Sequence, residues 1–509
     1  MIPLVVVISL LAGVVAVSQG GEEPPQSVKP VAPVPYVFGS SVCASCHNQI
    51  KNPSFNDADL ASFMCGMSEF AIFNEQDKHR LAYKALEGPR GREMTRLLGT
   101  DVTKIDACIN CHSVPDRLST RQNYEQTEGV TCVACHGLYA DWVKQHFETK
   151  STWRALDRNQ KETRYGMTDL WNPVRRAETC GSCHIGNHAE GKVITHAMYA
   201  AGHPPLPSLE TASFGDAEPR HWETFREKSP ARRQLSNPTP NPSNLETAQL
   251  AVIGGLVNLK MSSKLLIDEA AASKPSTVGA AWPDFARFDC YACHHELARA
   301  DGASWRQLRA RGRSPGRPTV PEWPMALVRV GIQSAAPAVA KSREASLNDL
   351  LAPFEQSLKN RPFGDTQTLI STARGISAWA DALIADLETT VFDAAKARDV
   401  LDKLCKLATT TIPDYDSARQ IAWTFRVIHR ELTPKPQADP EIDRELAALT
   451  AELALDLPPS RTKEFIAQGE SFAERSRSIT SFAPARFHAH FVVIARRLAG
   501  LPLAQTAGR

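Results

Sequence analysis

The chain has 509 residues, enough for two or more domains with sizeable cores. Its 42% hydrophobic and 22% charged content is that of an ordinary soluble protein. A formal charge of +2 excludes a polypeptide drawn by its own charge to nucleic acid or to an anionic membrane surface.

The first element is an apolar, uncharged run from Ile2 to Val17, ending in the small-residue pattern Ala16-Val17-Ser18. It is short for a membrane span and suits the core of a signal peptide; the missing basic segment before it leaves an uncleaved anchor as the alternative. Residues 1–20 are therefore read as a signal peptide or N-terminal anchor, and 21–40 as a Pro-rich extended linker.

Five Cys-x-x-Cys-His units follow. They are Cys43 to His47, Cys108 to His112, Cys132 to His136, Cys180 to His184 and Cys290 to His294, and they take ten of the twelve cysteines (Cys43, Cys46, Cys108, Cys111, Cys132, Cys135, Cys180, Cys183, Cys290 and Cys293). The remaining pair, Cys65 and Cys405, reads as two buried free thiols. Zinc knuckles share the Cys-x-x-Cys spacing but need no His directly after the second Cys. With 15 His in the chain, five such coincidences arise by chance roughly once in 10^7 to 10^8 trials. The pattern is that of c-type haem attachment: two thiols bond the vinyl groups, and the adjacent imidazole reaches the iron. The expected cofactors are five c-type haems, with His47, His112, His136, His184 and His294 as proximal ligands. Their propionates would add up to about −10 to the charge. Covalent haem of this kind is attached outside the cytoplasmic membrane, so both signals point to a periplasmic or exported protein.

Five irons call for distal ligands. Gln76 to Tyr83 opens a helical segment towards Leu98, broken near Gly88-Pro89, with His79 one turn before Tyr83. His146 lies ten residues past His136, read as the same helix and as the distal donor to the third motif, which is expected at the centre of the cluster. His196 and His203 stand two helical turns apart, able to reach two haems, with Gly202 and Pro204 ending the helix. His221 is the fifth candidate. His188 and His295 lie too near their own proximal neighbours to serve the same iron, and Met64 and Met67 read as core residues. The tract from Ala300 to Pro324 is Arg, Gly and Pro rich, a solvated loop with propionate pairing as its alternative.

Asn244 is placed to cap a helix running to about Ala272. Beyond Met325 the period is helical, as in Trp379, Leu383 and Leu387, then Val400, Leu404 and Leu407, then Ile421, Phe425 and Ile428. Asp439-Pro440 starts a further helix that Pro458-Pro459 stops. The fold class is mainly α: a multihaem cytochrome c with short helices and loops wrapped around a haem cluster (41–300), a linker (301–324) and a C-terminal helical bundle (325–509). His429, His488 and His490 fall in that bundle as surface or core residues.

Three stretches carry a resemblance: Asp77 to Tyr83; Glu128 to Gly137 with Trp142 and His146; and His196 to Pro204 with His221-Trp222. On these the chain resembles the cytochrome c-554 family, multihaem carriers related to the tetrahaem partner of hydroxylamine oxidoreductase, over about residues 40–300. The resemblance implies His79, His146, His196 and His203 as distal ligands. The fifth motif and the helical tail exceed the tetrahaem pattern, and no Cys-x-x-Cys-Lys occurs, unlike in pentahaem nitrite reductases. The expected function is periplasmic electron transfer between redox protein partners, without nucleic acid, with membrane association possible through the N-terminus. The alternative is an oxidoreductase with one five-coordinate haem acting on a small nitrogen or sulfur compound, because only four distal His are clear for five irons.

Overall fold

The computed structural model describes residues 36–50, 56, 60, 63–114, 120–122, 125–138, 140–147, 152–236, 239–272, 283–294, 317–411, 413–433, 439–457 and 471–501. The expected leader, most of the linker 21–40, the arginines from 306 to 313 and His295 lie outside these.

Apart from one parallel ribbon, β1 (Tyr36–Phe38) against β2 (Thr120–Gln122), the described residues are helix and loop. The haem-motif region carries short helices: α1 (Ser40–Ala44), α2 (Glu69–Gln76), α3 (Ala82–Glu87), α4 (Pro89–Leu98), α5 (Asp106–His112), α6 (Cys132–His136), α7 (Ala140–Phe147), α8 (Arg158–Tyr165), α9 (Pro173–His184), α10 (His196–Ala200), α11 (Thr211–Ala217) and α12 (Pro230–Gln234). Proline at the first helical position and an extended Gly88 separate α3 from α4, as the sequence predicts.

Longer helices form the second half: α13 (Glu246–Ala272), α14 (Val328–Ser334), α15 (Pro337–Asn360), α16 (Thr366–Glu388), α17 (Ala394–Thr410), α18 (Tyr415–Leu432), α19 (Pro440–Glu452), α20 (Phe472–Ser481) and α21 (Pro484–Gly500). Their predicted apolar stripes meet in one core. Leu250, Val252, Ile253, Leu256, Val257 and Leu259 of α13 join Trp379 and Leu383 of α16, Leu404 of α17, Trp423 and Phe425 of α18, and Phe491 of α21. By length and composition α13 could cross a membrane; here it is the central helix of this bundle, with 67% of its most apolar window buried. It packs along α16 on one side and against α9, which carries the fourth motif, on another.

Two helix ends differ from expectation. Asn244 does not cap α13, because its Oδ1 accepts from Phe392 N at 2.8 Å. The Glu431 carboxylate of α18 takes the Thr247 and Ala248 N–H groups instead, both at 2.9 Å, so a distant side chain satisfies the orphan donors. Helix α19 ends at Glu452, ahead of Pro458, where Ala454 turns into the left-handed region at φ 47°.

Candidate haem sites

Each described motif folds as a helical turn. In the first and fifth, the His N–H closes on the carbonyl of the first Cys, His47 N to Cys43 O at 2.9 Å and His294 N to Cys290 O at 2.7 Å. The turn puts positions i, i+3 and i+4 on one face, so both thiols and the imidazole point the same way. The third motif ends at Gly137, whose φ of 110° no side chain adopts readily; a Cβ there would lie 2.0 Å from Gly166 O. This break separates α6 from α7, so His146 is not on the helix of His136 as the sequence spacing predicts.

The histidines of the five motifs face five others. His47 pairs with His146 at a ring-centroid distance of 6.3 Å, His112 with His203 at 6.3 Å, and His136 with His221 at 6.4 Å. His184 pairs with His79 at 6.4 Å, and His294 with His196 at 6.1 Å. Two metal–imidazole bonds of about 2 Å, each followed by a ring radius of about 1.1 Å, separate such centroids by roughly 6.3 Å. All five pairs therefore have the spacing of two imidazoles on one iron, and haem fits the residues present. The expected partner of His136 was His146; that ring instead opposes His47, and His221 from the loop after α11 opposes His136. Helix α10 ends at Ala200 and the chain turns at Gly202 (φ 109°), so His196 and His203 do not share one helix as predicted.

The second ring nitrogen is held in most of these side chains. Nδ1 bonds a backbone carbonyl in His112 (Ala82 O, 2.8 Å), His146 (Val143 O, 2.7 Å), His203 (Pro204 O, 2.7 Å) and His221 (Pro219 O, 3.1 Å). It faces a carboxylate in His47 (Glu69 Oε2, 2.8 Å) and His79 (Asp77 Oδ1, 3.1 Å; Glu218 Oε2, 3.3 Å). With Nδ1 engaged as donor, Nε2 is left with its lone pair for a metal. Burial pushes His184 down to about 3 and His136 and His203 down to about 4, keeping these rings in the neutral, ligating form. Burial would lower His47 too, but Cys65 and Glu69 hold it up at about 10. Asp77 and Glu218 likewise outweigh burial at His79.

The first four motifs and their opposing histidines line one connected cavity of about 3170 Å³, several times the roughly 300–1,000 Å³ of a single small-molecule site. Arg158, Lys161, Arg176, Lys192, Arg220 and Lys228 are among its cations, groups of the kind that pair with propionates. Sites follow one another in space in an order unlike the sequence. Ser40 N, just before the first motif, donates to Glu128 Oε2, just before the third, at 2.8 Å; Val130 N, also just before the third, donates to His79 O beside the fourth at 3.0 Å; and Asn110 Nδ2 of the second motif donates to Gly191 O, after the fourth, at 3.3 Å. Tyr199, its ring 6.1 Å from His203, lies on the short segment that runs from His196, opposite His294 of the fifth motif, to His203, opposite His112 of the second. The row is first, third, fourth, second, fifth, and its middle is the fourth motif rather than the third. At the two ends His146 and His294 are exposed.

The fifth site rests on the bundle. Phe288 is buried among Leu266, Phe354 and Leu369, and the Arg287 guanidinium meets the buried Glu269 carboxylate of α13 at 3.0 Å. Asp284 caps this turn and also accepts from His196 N at 3.0 Å, tying the two halves of the site together.

The other sequence candidates take ordinary places. His188 is exposed, His429 is buried in a stack on Phe425, and His490 Nδ1 bonds Glu445 at 2.6 Å. Cys405 is buried in the bundle core, whereas Cys65 is half-buried beside Met67 and His47. Sequence reasoning missed Glu69, Asp77 and Glu218 as ring partners. Asp77 offered a signal in its position two residues before His79; Glu218 offered none.

Residues 42–137 match the family model of cytochrome c554 and c-prime, a stretch that includes the first three motifs and His79. No curated protein and no solved structure matches the chain. Residues 42–137 therefore form a domain of the cytochrome c554 family, a multihaem cytochrome c family.

Proposed function

We propose that the protein is an exported electron carrier with five c-type haems, each held between two histidines. A cytochrome c554 domain itself implies an electron-transfer role. The observation that carries the finer reading is the set of five imidazole pairs with centroids 6.1–6.4 Å apart. Bound haem would supply a one-electron iron couple at each site. The ten histidines close both axial faces, so no small substrate reaches the metal. The oxidoreductase alternative drew on a shortage of distal ligands; with His221 facing His136, that shortage no longer supports it. The apolar run at the N-terminus and the attachment chemistry both support export, and donor and acceptor would be redox proteins meeting the exposed ends at His146 and His294.

The test is the spin state of the purified oxidised protein, with haem counted by pyridine haemochrome. Five haems per chain, all low-spin, and no carbon monoxide uptake on reduction are expected. A high-spin signal in the intact protein would overturn the closed-site reading.

A further inference from the structure

The Nδ1 partners sort the sites by charge. At the second site both histidines bond neutral carbonyls, Ala82 O and Pro204 O, and at the third His221 bonds Pro219 O. The fourth site is different. His79 Nδ1 stands between Asp77 Oδ1 at 3.1 Å and Glu218 Oε2 at 3.3 Å. Asp77 is 8% exposed and is locked in place by a second bond from His79 N at 2.9 Å. Glu218 Oε2 is fully buried 3.3 Å from the same nitrogen and accepts no hydrogen bond among the described residues, so Asp77 takes the Nδ1–H and Glu218 acts on the ring by its charge. The first site carries one carboxylate, Glu69, whose other oxygen accepts from Gly66 N at 2.8 Å.

A carboxylate accepting from Nδ1–H makes the ring a stronger donor to the metal, and its charge favours the more positive, ferric state. Both effects grow where water is excluded. Arg176, half-buried and interacting with the Glu218 charge, opposes them in part. We propose that Asp77 and Glu218 are tuning residues that make the fourth site the lowest-potential iron of the five. This rests on His79 and His184 being its axial pair. Because that site lies in the middle of the row, electrons passing from end to end would cross an uphill step there, and the two halves of the row would fill separately.

Glu218→Gln keeps the shape of the side chain and removes its charge. Asp77→Asn retains an Oδ1 acceptor and tests the same point in a second background. Redox titration of the full-length holoprotein, followed optically and by electron paramagnetic resonance, is expected to show the most negative of the five transitions moving to higher potential in each variant. The other four would stay, all signals would remain low-spin, and Glu218→Asp would restore most of the shift. Superimposable titrations with the low-spin spectrum intact would overturn the tuning role alone, as would movement of any transition but the lowest. A high-spin fourth site in the unaltered protein would overturn the axial pairing, and the proposal with it.

Discussion

His221→Ala gives the sharpest test of the site geometry. His221 opposes His136 at 6.4 Å, and its neighbours in the chain are Arg220 and Trp222, neither of which replaces an imidazole on iron. Trp222 is held by the Arg176 guanidinium 5.0 Å above its ring, so it stays put when His221 is shortened. Under the proposed ligation the variant would open one iron in five. One fifth of the haem should convert from low to high spin, and carbon monoxide uptake by the reduced protein should rise from none to one per chain. Optical spectra, paramagnetic resonance and gas titration read the same stoichiometry independently. His188→Ala, altering an exposed residue outside the pairs, should leave all three unchanged. A His221→Ala protein that remains wholly low-spin and takes up no carbon monoxide would refute the pairing of His221 with His136.

Other perturbations probe the scaffold. Burial lifts Glu269 to about 7 despite the opposing Arg287, against 4.5 for an ordinary Glu. The folded state thus holds an extra proton between these values; its stabilising effect is full below about pH 4.5 and fades as pH rises to about 7. The loss is at most about 3 kcal/mol, and Glu269→Gln should flatten that part of the pH dependence of thermal melting. Gly137→Ala, with its φ of 110° and a Cβ 2.0 Å from Gly166 O, should cost at least about 3 kcal/mol and reduce haem incorporation at the third motif. Ending the chain at residue 324 would expose the six core aliphatic side chains of α13 from Leu250 to Leu259. At about 1.5–3 kcal/mol each this is on the order of 10 kcal/mol, as large as the stability of a whole domain. The truncated protein should show no cooperative melt by circular dichroism; a soluble, cooperatively melting fragment would refute an integral role for the tail.

The attachment sites were legible because covalent chemistry fixes Cys-x-x-Cys-His spacing within five residues. Helices such as α16 to α18 were legible because Trp379, Leu383 and Leu387, then Val400 and Leu404, then Ile421, Phe425 and Ile428 each repeat at helical period, and the periodic face is the one buried. Pairing was not. His146 follows His136 by ten residues yet faces His47, because Gly137 turns the chain before α7 begins. The cap of α13 came from Glu431, a choice made by tertiary packing that a local Asn-to-helix rule cannot anticipate. Glu218 reaches His79 across more than a hundred residues, beyond any local pattern.

The same long reach explains how the haem-motif region holds together with so little apolar core. Away from the bundle, its buried apolar clusters are small, such as Tyr83, Leu86, Met94 and Val102, or Val114 with Val133. The five histidine pairs join positions from 85 residues apart (136 to 221) to 105 apart (79 to 184). A bridge closing a loop of about 100 residues removes roughly 4–5 kcal/mol of unfolded-chain entropy, and loop length changes this only slowly. Interlaced bridges do not add fully, but once iron spans even two or three pairs, their combined effect rivals the whole stability of an ordinary domain. Under the proposed ligation the axial pairs would take over in this region the work that apolar side chains do in the bundle. The motifs would not need to neighbour one another in sequence to neighbour in space, because each bridge would draw a distant segment onto its iron. A chain built in this way would gain its row of closely set sites and its stability from the same ten imidazoles.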